Sequence, residues 1–530
     1  MSTVSLRRPC FGSLLPLVLI ATAGLRLSAE VRLHPTFSDH AVLQRGMSVP
    51  VWGTAADGEE VTVEFAGQTK KAVAREGRWM VKLDRMKAAA AGADLKASGP
   101  KNAAVIHDVV VGEVWICSGQ SNMEWPMRAS FNPEADIAGS ANPNLRLFQV
   151  TKRRSPKVQT DLDYASHAWA PASPESVRNF SAVGYYFGRT LEASLREKGV
   201  PVGIIHTSWG GSPAEVWMRS EVLSGDPEYA VDILSQSTRD LIRWEHAVQT
   251  WEEKKKAAEA SGEKFSENRP GQPWRPAELY NGMLANLMPY AIQGAIWYQG
   301  ESNAGRAWQY RRLFADMIRN WRSDWKQGNF WFLAVQLAPW DMNKKRDLSV
   351  IAAEVGDSNW AELREAQNYV ASSLKNVDVA VITDVGDKDD IHPTKKAPVG
   401  DRLARLALAG AYGQKIDAHG PRYQTSAVRG TNMVLTFRDA GDGLRTLDGG
   451  APVGFTIAGA DKKFRPATAR ISGPNQVTVF SPEVAAPVAV RYGWNNYPVV
   501  NLANSAQLPA SPFRTDSWKV TTQTPGTASR

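Results

Sequence analysis

The sequence predicts a mixed α/β protein with a central parallel sheet and a β-rich segment on each side of it. Between residues 109 and 412, apolar runs of strand length alternate with amphipathic segments, which is typical of a parallel sheet covered by helices. Residues 30–108 and 413–530 instead contain short alternating runs separated by Gly and Asp turns, as antiparallel sheets do. At 530 residues, the chain has room for two to four domains of roughly 100–200 residues each.

Residues 1–29 have the pattern of an export signal. Arg7-Arg8 precedes an apolar run, Leu14–Gly24, and the small residues Ser28-Ala29 offer a cleavage point. The run is short for a membrane span, so we expect a periplasmic or extracellular protein with no integral membrane segment in the mature chain. A buried N-terminal strand is the alternative. Removing this segment takes Cys10 with it and leaves Cys117 alone, which excludes an internal disulfide.

The segment 30–108 is predicted to be a small β domain, read as a β-sandwich. Strand-like runs at Ser48–Gly53 and Val61–Gly67 are separated by turn residues. The Ala- and Gly-rich stretch Ala88–Gly99 is interpreted as a linker to the next domain.

The segment 109–412 carries the predicted parallel sheet. Its five apolar runs are Val109–Cys117, Val202–Thr207, Ile292–Tyr298, Trp331–Leu337 and Val377–Thr383. Helical spacing of large apolar residues predicts a helix over Trp308–Trp325, and a second helix over Ala182–Lys198 ends before Gly199. The charged stretch 220–276 is predicted to be a helical insertion.

Most of these strands end in polar or Gly-rich loops. The carboxyl ends of parallel strands lie along one edge of a sheet, where ligands bind, so these loops are expected to converge on one crevice. The four loops are Gly119-Gln120-Ser121-Asn122, Trp209-Gly210-Gly211-Ser212, Gln299-Gly300-Glu301-Ser302-Asn303 and Asp387–Pro393.

The converging loops contain the residue types of an acyl-transfer site. Ser121 is the candidate nucleophile and His392 the candidate base, since imidazole exchanges protons near neutral pH. Asp389 can orient the imidazole, with Asp390 as the open alternative. The backbone N–H of Ser121, a glycine N–H of the 210–211 pair and the Asn303 amide are candidate oxyanion donors. Taken singly, each residue is equally consistent with an ordinary turn or helix cap.

Four further residues in the same loops are candidates for substrate binding, namely Gln120, Trp209, Gln299 and Glu301. No His/Cys cluster has metal-ligand spacing, so neither a metal nor an organic cofactor is expected. The formal net charge of +8 over 530 residues is a mild excess and gives no nucleic-acid signal.

The segment 413–530 returns to β-type patterns, with strands predicted at Asn432–Phe437, Val453–Ile457 and Gln476–Phe480. A β-sandwich is expected here as well. The cluster Tyr492–Asn496 suits stacking on a sugar, although buried aromatic packing is the favoured explanation.

Several motifs, in order, resemble the SGNH-hydrolase superfamily and, within it, the sialate O-acetylesterase-type carbohydrate esterases. They are GQSNMEWPM at 119–127, SWGGSPAEVW at 208–217, LYNGMLANLMPY at 279–290, WYQGESNA at 297–304, LREAQ at 363–367, DDIHPTKK at 389–396, YGWNNYPVVNL at 492–502 and LPASPFRTD at 508–516. The resemblance implies a three-layer, flavodoxin-like catalytic domain. It also implies Ser121 as nucleophile, a glycine of the 210–211 pair and Asn303 as oxyanion donors, and His392 as base. The family's Asp-x-x-His pattern favours Asp389, while some members work with a Ser–His pair.

The function that the resemblance implies is that of a secreted serine esterase that removes O-acetyl groups from carbohydrates, with 9-O-acetyl sialic acid as the first expected substrate. Acetylated xylan or another polysaccharide is an alternative substrate. A non-catalytic glycan-binding protein on a hydrolase fold is the alternative from another class.

Overall fold

The computed structural model describes Met1 and residues 30–159 and 168–523. The predicted export signal therefore lies outside the described residues, apart from Met1. Among the described residues, no helix is both long and apolar enough to cross a membrane.

The N-terminal segment is built from strands that pack against, and partly join, the central sheet. The strands are β1 Arg32–Leu33, β2 Val42–Gln44, β3 Val49–Thr54, β4 Glu60–Phe65, β5 Gln68–Val73, β6 Arg78–Leu83, β7 Ala89–Ser98 and β8 Ala103–Gly119. One sheet has the order β1-β3-β6, while β7 pairs antiparallel with both β4 and β8. Strand β8 runs from this segment into the central sheet without a break.

The central sheet has the order β10-β9-β11-β8-β12-β13-β14. Its remaining strands are β9 Asn142–Gln149, β10 Trp169–Ala172, β11 Val202–Ser208, β12 Gly294–Tyr298, β13 Trp331–Val335 and β14 Val377–Ala380. All neighbours are parallel except β10, which pairs antiparallel with β9 at the edge. The chain adds β9 and β11 on one side of β8 and then β12 to β14 on the other side, so the strand order reverses at β8.

Helices lie on both faces of the central sheet. The α-helices are α1 Ser121–Glu124, α2 Glu134–Ala138, α3 Pro174–Arg178, α4 Ala182–Leu195, α5 Ser220–Ser224, α6 Pro227–Tyr229, α7 Gln236–Ser261, α8 Ala307–Trp325, α9 Leu348–Ala353, α10 Asn359–Ser373 and α11 Ala397–Gly410. Side chains alternate along β8, so Ile116 joins a core cluster with α8 and α10, whereas Cys117 joins a second cluster with α4 and α11. The sheet is therefore buried on both faces.

In the C-terminal segment, the residues described, up to 523, form three small antiparallel sheets. Its strands are β15 Arg422–Arg429, β16 Asn432–Arg438, β17 Leu444–Thr446, β18 Phe455–Ala458, β19 Phe464–Pro466, β20 Thr468–Gly473, β21 Gln476–Phe480, β22 Ala489–Tyr492, β23 Leu502–Asn504 and β24 Phe513–Arg514. The sheet orders are β15-β16-β21-β20, β17-β23 and β19-β18-β22-β24. They share one apolar core of their own.

Arg364 fastens the C-terminal segment to the central sheet. This fully buried guanidinium donates to the carbonyls of Leu337 and Ala338, just after β13, and to those of Asn495 and Asn496 in the C-terminal segment, over 2.6–3.4 Å. Burial lowers the pKa of Arg364 to about 9. Four main-chain dipoles thus take the place of a carboxylate partner.

The five predicted strands of the central sheet and the two predicted helices are confirmed, with ends that differ by a few residues. The apolar stripe of α8 is core, and each fully buried large side chain there contributes roughly 1.5–3 kcal/mol. The aromatic cluster at 492–496 is also packing, since Tyr492 and Trp494 are buried. In the charged stretch 220–276, helical structure extends to Ser261 and irregular chain follows.

The interpretation of Ala88–Gly99 as a linker is wrong. These residues form β7, which bonds to β4 and β8 and buries Leu95 and Ala97. Alanine has little strand preference of its own, so ladder hydrogen bonds and burial override the composition. The predicted domain boundary at residue 108 falls inside β8, and β7 leads directly into that strand.

Candidate active site

Ser121 lies just beyond the end of β8, at the start of α1. Residue Gly119 makes the turn possible, because it has φ +139° and a Cβ there would lie 2.2 Å from the carbonyl oxygen of Tyr298. At the strand ends, Ser208 and Tyr298 both pair with Gly119. Ser121 therefore stands at the point where the strand order reverses, which is the crevice where open parallel sheets bind ligands.

His392 comes from the loop after β14 and contacts Ser121 directly. Its Nε2 lies 2.8 Å from Ser121 Oγ. The imidazole stacks on Trp125, with 5.3 Å between ring centres and 19° between planes. Burial lowers the pKa of His392 below its ordinary value, against the opposing effect of Asp390. The ring is therefore neutral at pH 7 and able to accept the hydroxyl proton.

The acidic residue beside His392 is Asp390. Its Oδ1 lies 3.5 Å from His392 Nδ1 and accepts a 2.8 Å hydrogen bond from the His392 amide. Asp389 instead accepts from the Lys345 amide (2.6 Å) and from Lys388 Nζ (2.5 Å), and Lys388 holds the pKa of Asp389 below its usual range. The geometry thus disagrees with the expectation that Asp389 orients the imidazole, because its carboxylate is engaged by these two lysines.

Gly210 lies beside Ser121, since a Cβ on Gly210 would be 3.3 Å from Ser121 Cβ. Its N–H donates to Glu124 Oε2 at 2.6 Å. Gly211 has φ +74°, and its carbonyl accepts from Ser302 Oγ at 3.0 Å. Of the two glycines, Gly210 is therefore the one that the structure shows next to the candidate nucleophile.

Asn303 is buried in the loop after β12 and is held by several groups. Its Oδ1 accepts from the Ala214 amide (3.0 Å) and from Gln299 Nε2 (2.6 Å), while its Nδ2 donates to Glu215 Oε2 (2.9 Å). Glu215 is itself paired with Arg306 at 2.5 Å. An amide nitrogen carries two hydrogens, so Glu215 uses only part of the donor capacity of Asn303.

Two of the predicted substrate-binding residues have protein partners. Gln120 is buried, and its Oε1 accepts from the Gly300 amide at 3.3 Å. Gln299 is fully buried and accepts from the Tyr310 hydroxyl at 2.8 Å. Both amide side chains satisfy groups of the loops themselves, as buried polar groups require.

The other two predicted substrate-binding residues, Glu301 and Trp209, are both partly buried. Glu301 accepts from Asn122 Nδ2 at 2.6 Å, and burial raises the pKa of its carboxyl. Trp209 is half-buried next to Gly210, and Trp274 contacts its ring edge-on at 5.5 Å. Lys152 Nζ lies 5.1 Å from the ring centre of Trp209. Trp209 is thus the one of the four with an aromatic surface at the rim of the site.

Comparison with known proteins identifies the family. A family model described as "Carbohydrate esterase, sialic acid-specific acetylesterase" matches residues 258–409. The chain is 28% identical to the sialate O-acetylesterase of Mus musculus, covering 95% of this chain and 97% of the mouse protein. It is also 28% identical to the Homo sapiens sialate O-acetylesterase, covering 76% and 75% of the two chains. The crystal structure of a carbohydrate acetylesterase from Xanthomonas citri superposes with a TM-score of 0.78 at 37% identity, covering 92% of this chain and 100% of that one.

The chain belongs to the sialate O-acetylesterase-type carbohydrate esterases. It is therefore a carboxylic ester hydrolase, as the motifs predict. In this esterase, the described residues include no group of three or more His, Cys, Asp or Glu side chains placed to hold a metal ion.

Sequence reasoning missed several residues that build the site of this esterase. Glu124 binds the Gly210 amide, and Glu215 binds Asn303. Lys396 is buried beneath the site and donates to Asn122. All lie inside the quoted family motifs, so the motifs marked the segments. Which side chain meets which depends on loop conformation, and spacing does not encode it.

Proposed function

We propose that this esterase removes O-acetyl groups from sialic acid, with Ser121 as nucleophile and His392 as base. The observation that carries the proposal is the 2.8 Å contact between His392 Nε2 and Ser121 Oγ at the reversal point of the sheet. A hydroxyl and an imidazole at this distance form the pair that nucleophilic catalysis needs.

The proposed reaction has two steps. Ser121 Oγ attacks the acetyl carbonyl while His392 takes the hydroxyl proton, and the proton then passes to the departing sugar oxygen. Water, activated by His392, attacks the acetyl-serine and releases acetate with free Ser121. Asp390 stabilises the imidazolium, although its exposed position makes its contribution smaller than that of a buried carboxylate.

The oxyanion that forms on the acetyl group needs hydrogen-bond donors. We assign Asn303 Nδ2, the Ser121 amide and a glycine amide of the 210–211 pair to this role, with Gly210 favoured because it lies beside Ser121. In the free enzyme the Gly210 N–H is bonded to Glu124. During the reaction, the Gly210 N–H would therefore give up its hydrogen bond to the Glu124 carboxylate and donate to the oxyanion instead.

The choice of sialic acid is supported by the mouse sialate O-acetylesterase, which aligns over 95% of this chain. A second candidate is an acetylated neutral polysaccharide. It is consistent with the 37% identity to the Xanthomonas citri enzyme, which is described as a carbohydrate acetylesterase without mention of sialic acid.

A substrate panel tests the proposal. Acetate release is measured from 9-O-acetyl-N-acetylneuraminic acid and from acetylated xylo-oligosaccharides, each with the wild-type enzyme and with Ser121→Ala. We expect the higher kcat/KM on the sialic acid and no turnover of either substrate by Ser121→Ala. A higher kcat/KM on xylo-oligosaccharides would move the assignment to the second candidate, whereas acetate release by Ser121→Ala would refute the role of Ser121.

We also propose the finer architecture that the family implies. Residues 109–412 would form a three-layer, SGNH-type flavodoxin-like domain, supported by helices on both faces of the sheet, with the stretch 220–276 as an insertion. Residues 30–108 and 413–530 would form the flanking β-sandwich segments.

Export to the periplasm or the extracellular space is proposed from the pattern of residues 1–29. The N-terminal sequence of the protein recovered outside the cytoplasm would test it, because cleavage near Ala29 is expected.

A further inference from the structure

Lys396 is a lysine buried beneath the active site, shortly after His392 in the chain. It is 1% exposed, and its Nζ donates to Asn122 Oδ1 at 2.5 Å. The ammonium also lies 5.7 Å from the ring centre of Trp125 and 5.4 Å from that of Tyr298. Burial lowers the pKa of Lys396 to about 7. Burying a cation costs free energy, so the presence of a lysine at this position needs an explanation.

Asn122 connects Lys396 to two other loops of the site. Its Nδ2 donates to Glu301 Oε1 at 2.6 Å and to the carbonyl of Ile391 at 3.0 Å. Asn122 directly follows the proposed nucleophile, and Ile391 directly precedes the proposed base. One buried amide thus ties together the turn after β8, the loop after β12 and the loop after β14.

Stability alone is a poor explanation for this network. Glu301 Oε2 is buried with no hydrogen-bond partner among the described residues, and burial raises the pKa of this carboxyl. Replacing buried charged groups by apolar residues of similar size is often neutral or stabilising. The network instead coincides with the three loops whose relative placement the chemistry requires.

We propose that Lys396 is a positioning residue, which holds the Asn122 amide and thereby keeps Ser121 Oγ within proton-transfer distance of His392 Nε2. The inference rests on the proposed roles of Ser121 and His392. Without Nζ, the Asn122 oxygen loses its partner, and the side chain is held only through the two hydrogen bonds that its Nδ2 donates. A displacement of about 1 Å between reacting groups costs on the order of 10²-fold in rate.

Lys396 also acts on His392 through its charge. The titratable groups that face Lys396 are Tyr298 at the end of β12, Glu301 from the loop after β12, and Asp390 and His392 from the loop after β14. The ammonium disfavours the imidazolium and lowers the pKa of His392, whereas Asp390 raises it. Removing the lysine charge therefore raises that pKa, and the acid limb of kcat/KM moves to higher pH. A change that only loosens the fold has no reason to move this limb.

The test compares Lys396→Met with Lys395→Met. Lys395 is the adjacent lysine, which is exposed and lies over the Phe131 ring at 5.7 Å, so the same substitution there is a matched control. Kinetics are measured on p-nitrophenyl acetate between pH 5 and 9. For Lys396→Met we expect kcat to fall by about 10- to 100-fold, with KM within about threefold and the acid limb at higher pH. Lys395→Met should match the wild type in all three measurements.

A double variant, Lys396→Met/Glu301→Gln, covers the case in which Lys396→Met alone leaves the buried Glu301 charge uncompensated and fails to fold. The double variant has neither charge, so its melting temperature should lie closer to that of the wild type. Its kcat should still be at least about tenfold lower, because Asn122 has lost its donor.

Two results would overturn the inference: wild-type kcat in a folded variant that lacks Lys396, or a loss of activity confined to KM. Ser121→Ala, assayed alongside, separates this failure from failure of the proposed function. If Ser121→Ala is active, the roles of Ser121 and His392 are wrong. If Ser121→Ala is inactive and Lys396→Met is fully active, only the role of Lys396 is wrong.

Discussion

Replacing Asp390 by Asn removes the carboxylate that faces His392 Nδ1 at 3.5 Å. At that separation, two unit charges interact by roughly 1.2 kcal/mol in bulk water and roughly 2.4 kcal/mol at an effective dielectric constant of 40. The Asp390 side chain is 59% exposed, so the effective value lies within this range rather than at that of a dry interior. These energies correspond to a loss of about 8- to 60-fold in rate.

The expected loss for Asp390→Asn is thus much smaller than the 10⁴-fold or so seen for a buried triad carboxylate. Asp389→Asn is the matched control, because the Asp389 carboxylate is engaged by Lys345 and Lys388, and we expect less than about a twofold change. The assay is kcat/KM on p-nitrophenyl acetate at pH 8. A larger loss at Asp389 than at Asp390, or no measurable loss at Asp390, would refute the assignment.

Three further predictions follow from the same geometry. Asn303→Ala should lower kcat by about 10²–10³-fold with little change in KM, because the Asn303 amide is assigned to the oxyanion. Ser302→Ala, at the exposed neighbouring residue, serves as the control. An effect of Asn303→Ala on KM alone would place Asn303 in substrate binding. Because burial lowers the pKa of His392, activity should fall on the acid side with a midpoint below pH 6.5, and a midpoint above that value would contradict a neutral, desolvated base. Arg364→Met should lower the free energy of unfolding by about 2–5 kcal/mol, because it leaves buried carbonyls unpaired. Arg319→Met, at an exposed arginine, should change the free energy of unfolding by less than about 0.5 kcal/mol. Equal effects of the two substitutions would contradict the role of Arg364 in holding the C-terminal segment.

The convergence of Ser121 and His392 could be predicted because parallel strands place their carboxyl ends on one edge of the sheet. Apolar runs located β8 and β14 closely enough to identify the loops that follow them. Topology then places the two loops on the same edge of the sheet, whereas the contact between the two side chains depends on the path of each loop.

The acidic residue could not be predicted from spacing, because a side chain in the loop decides it. Asp387 Oδ1 accepts from the amides of both Asp389 (2.9 Å) and Asp390 (3.2 Å). This Asx-type turn fixes the loop with Asp389 beside Lys345 and Asp390 beside His392. In such a turn, a spacing of three residues does not determine whether the first side chain points toward the last.

The buried glutamines show a second limit of sequence reasoning. Polar residues at strand ends suggest contact with a ligand, yet Gln120 and Gln299 bind the backbone and side chains of neighbouring loops. Tightly packed loops bring their own polar groups out of water, and those groups need partners. Such residues stabilise the loops whether or not a ligand binds. They occur at strand ends, as residues that contact a ligand also do, so the sequence alone does not separate the two kinds.

Covalent labelling tests the central claim, that Ser121 is the nucleophile activated by His392, most directly. The enzyme is treated with a fluorophosphonate ester and digested, and the modified serine is identified by mass spectrometry. We predict one label per chain, on the peptide that contains Ser121, with labelling abolished in Ser121→Ala and slowed by several orders of magnitude in His392→Ala, both at unchanged melting temperature. A label on another serine, or a Ser121→Ala variant that is still labelled and still hydrolyses p-nitrophenyl acetate, would contradict it.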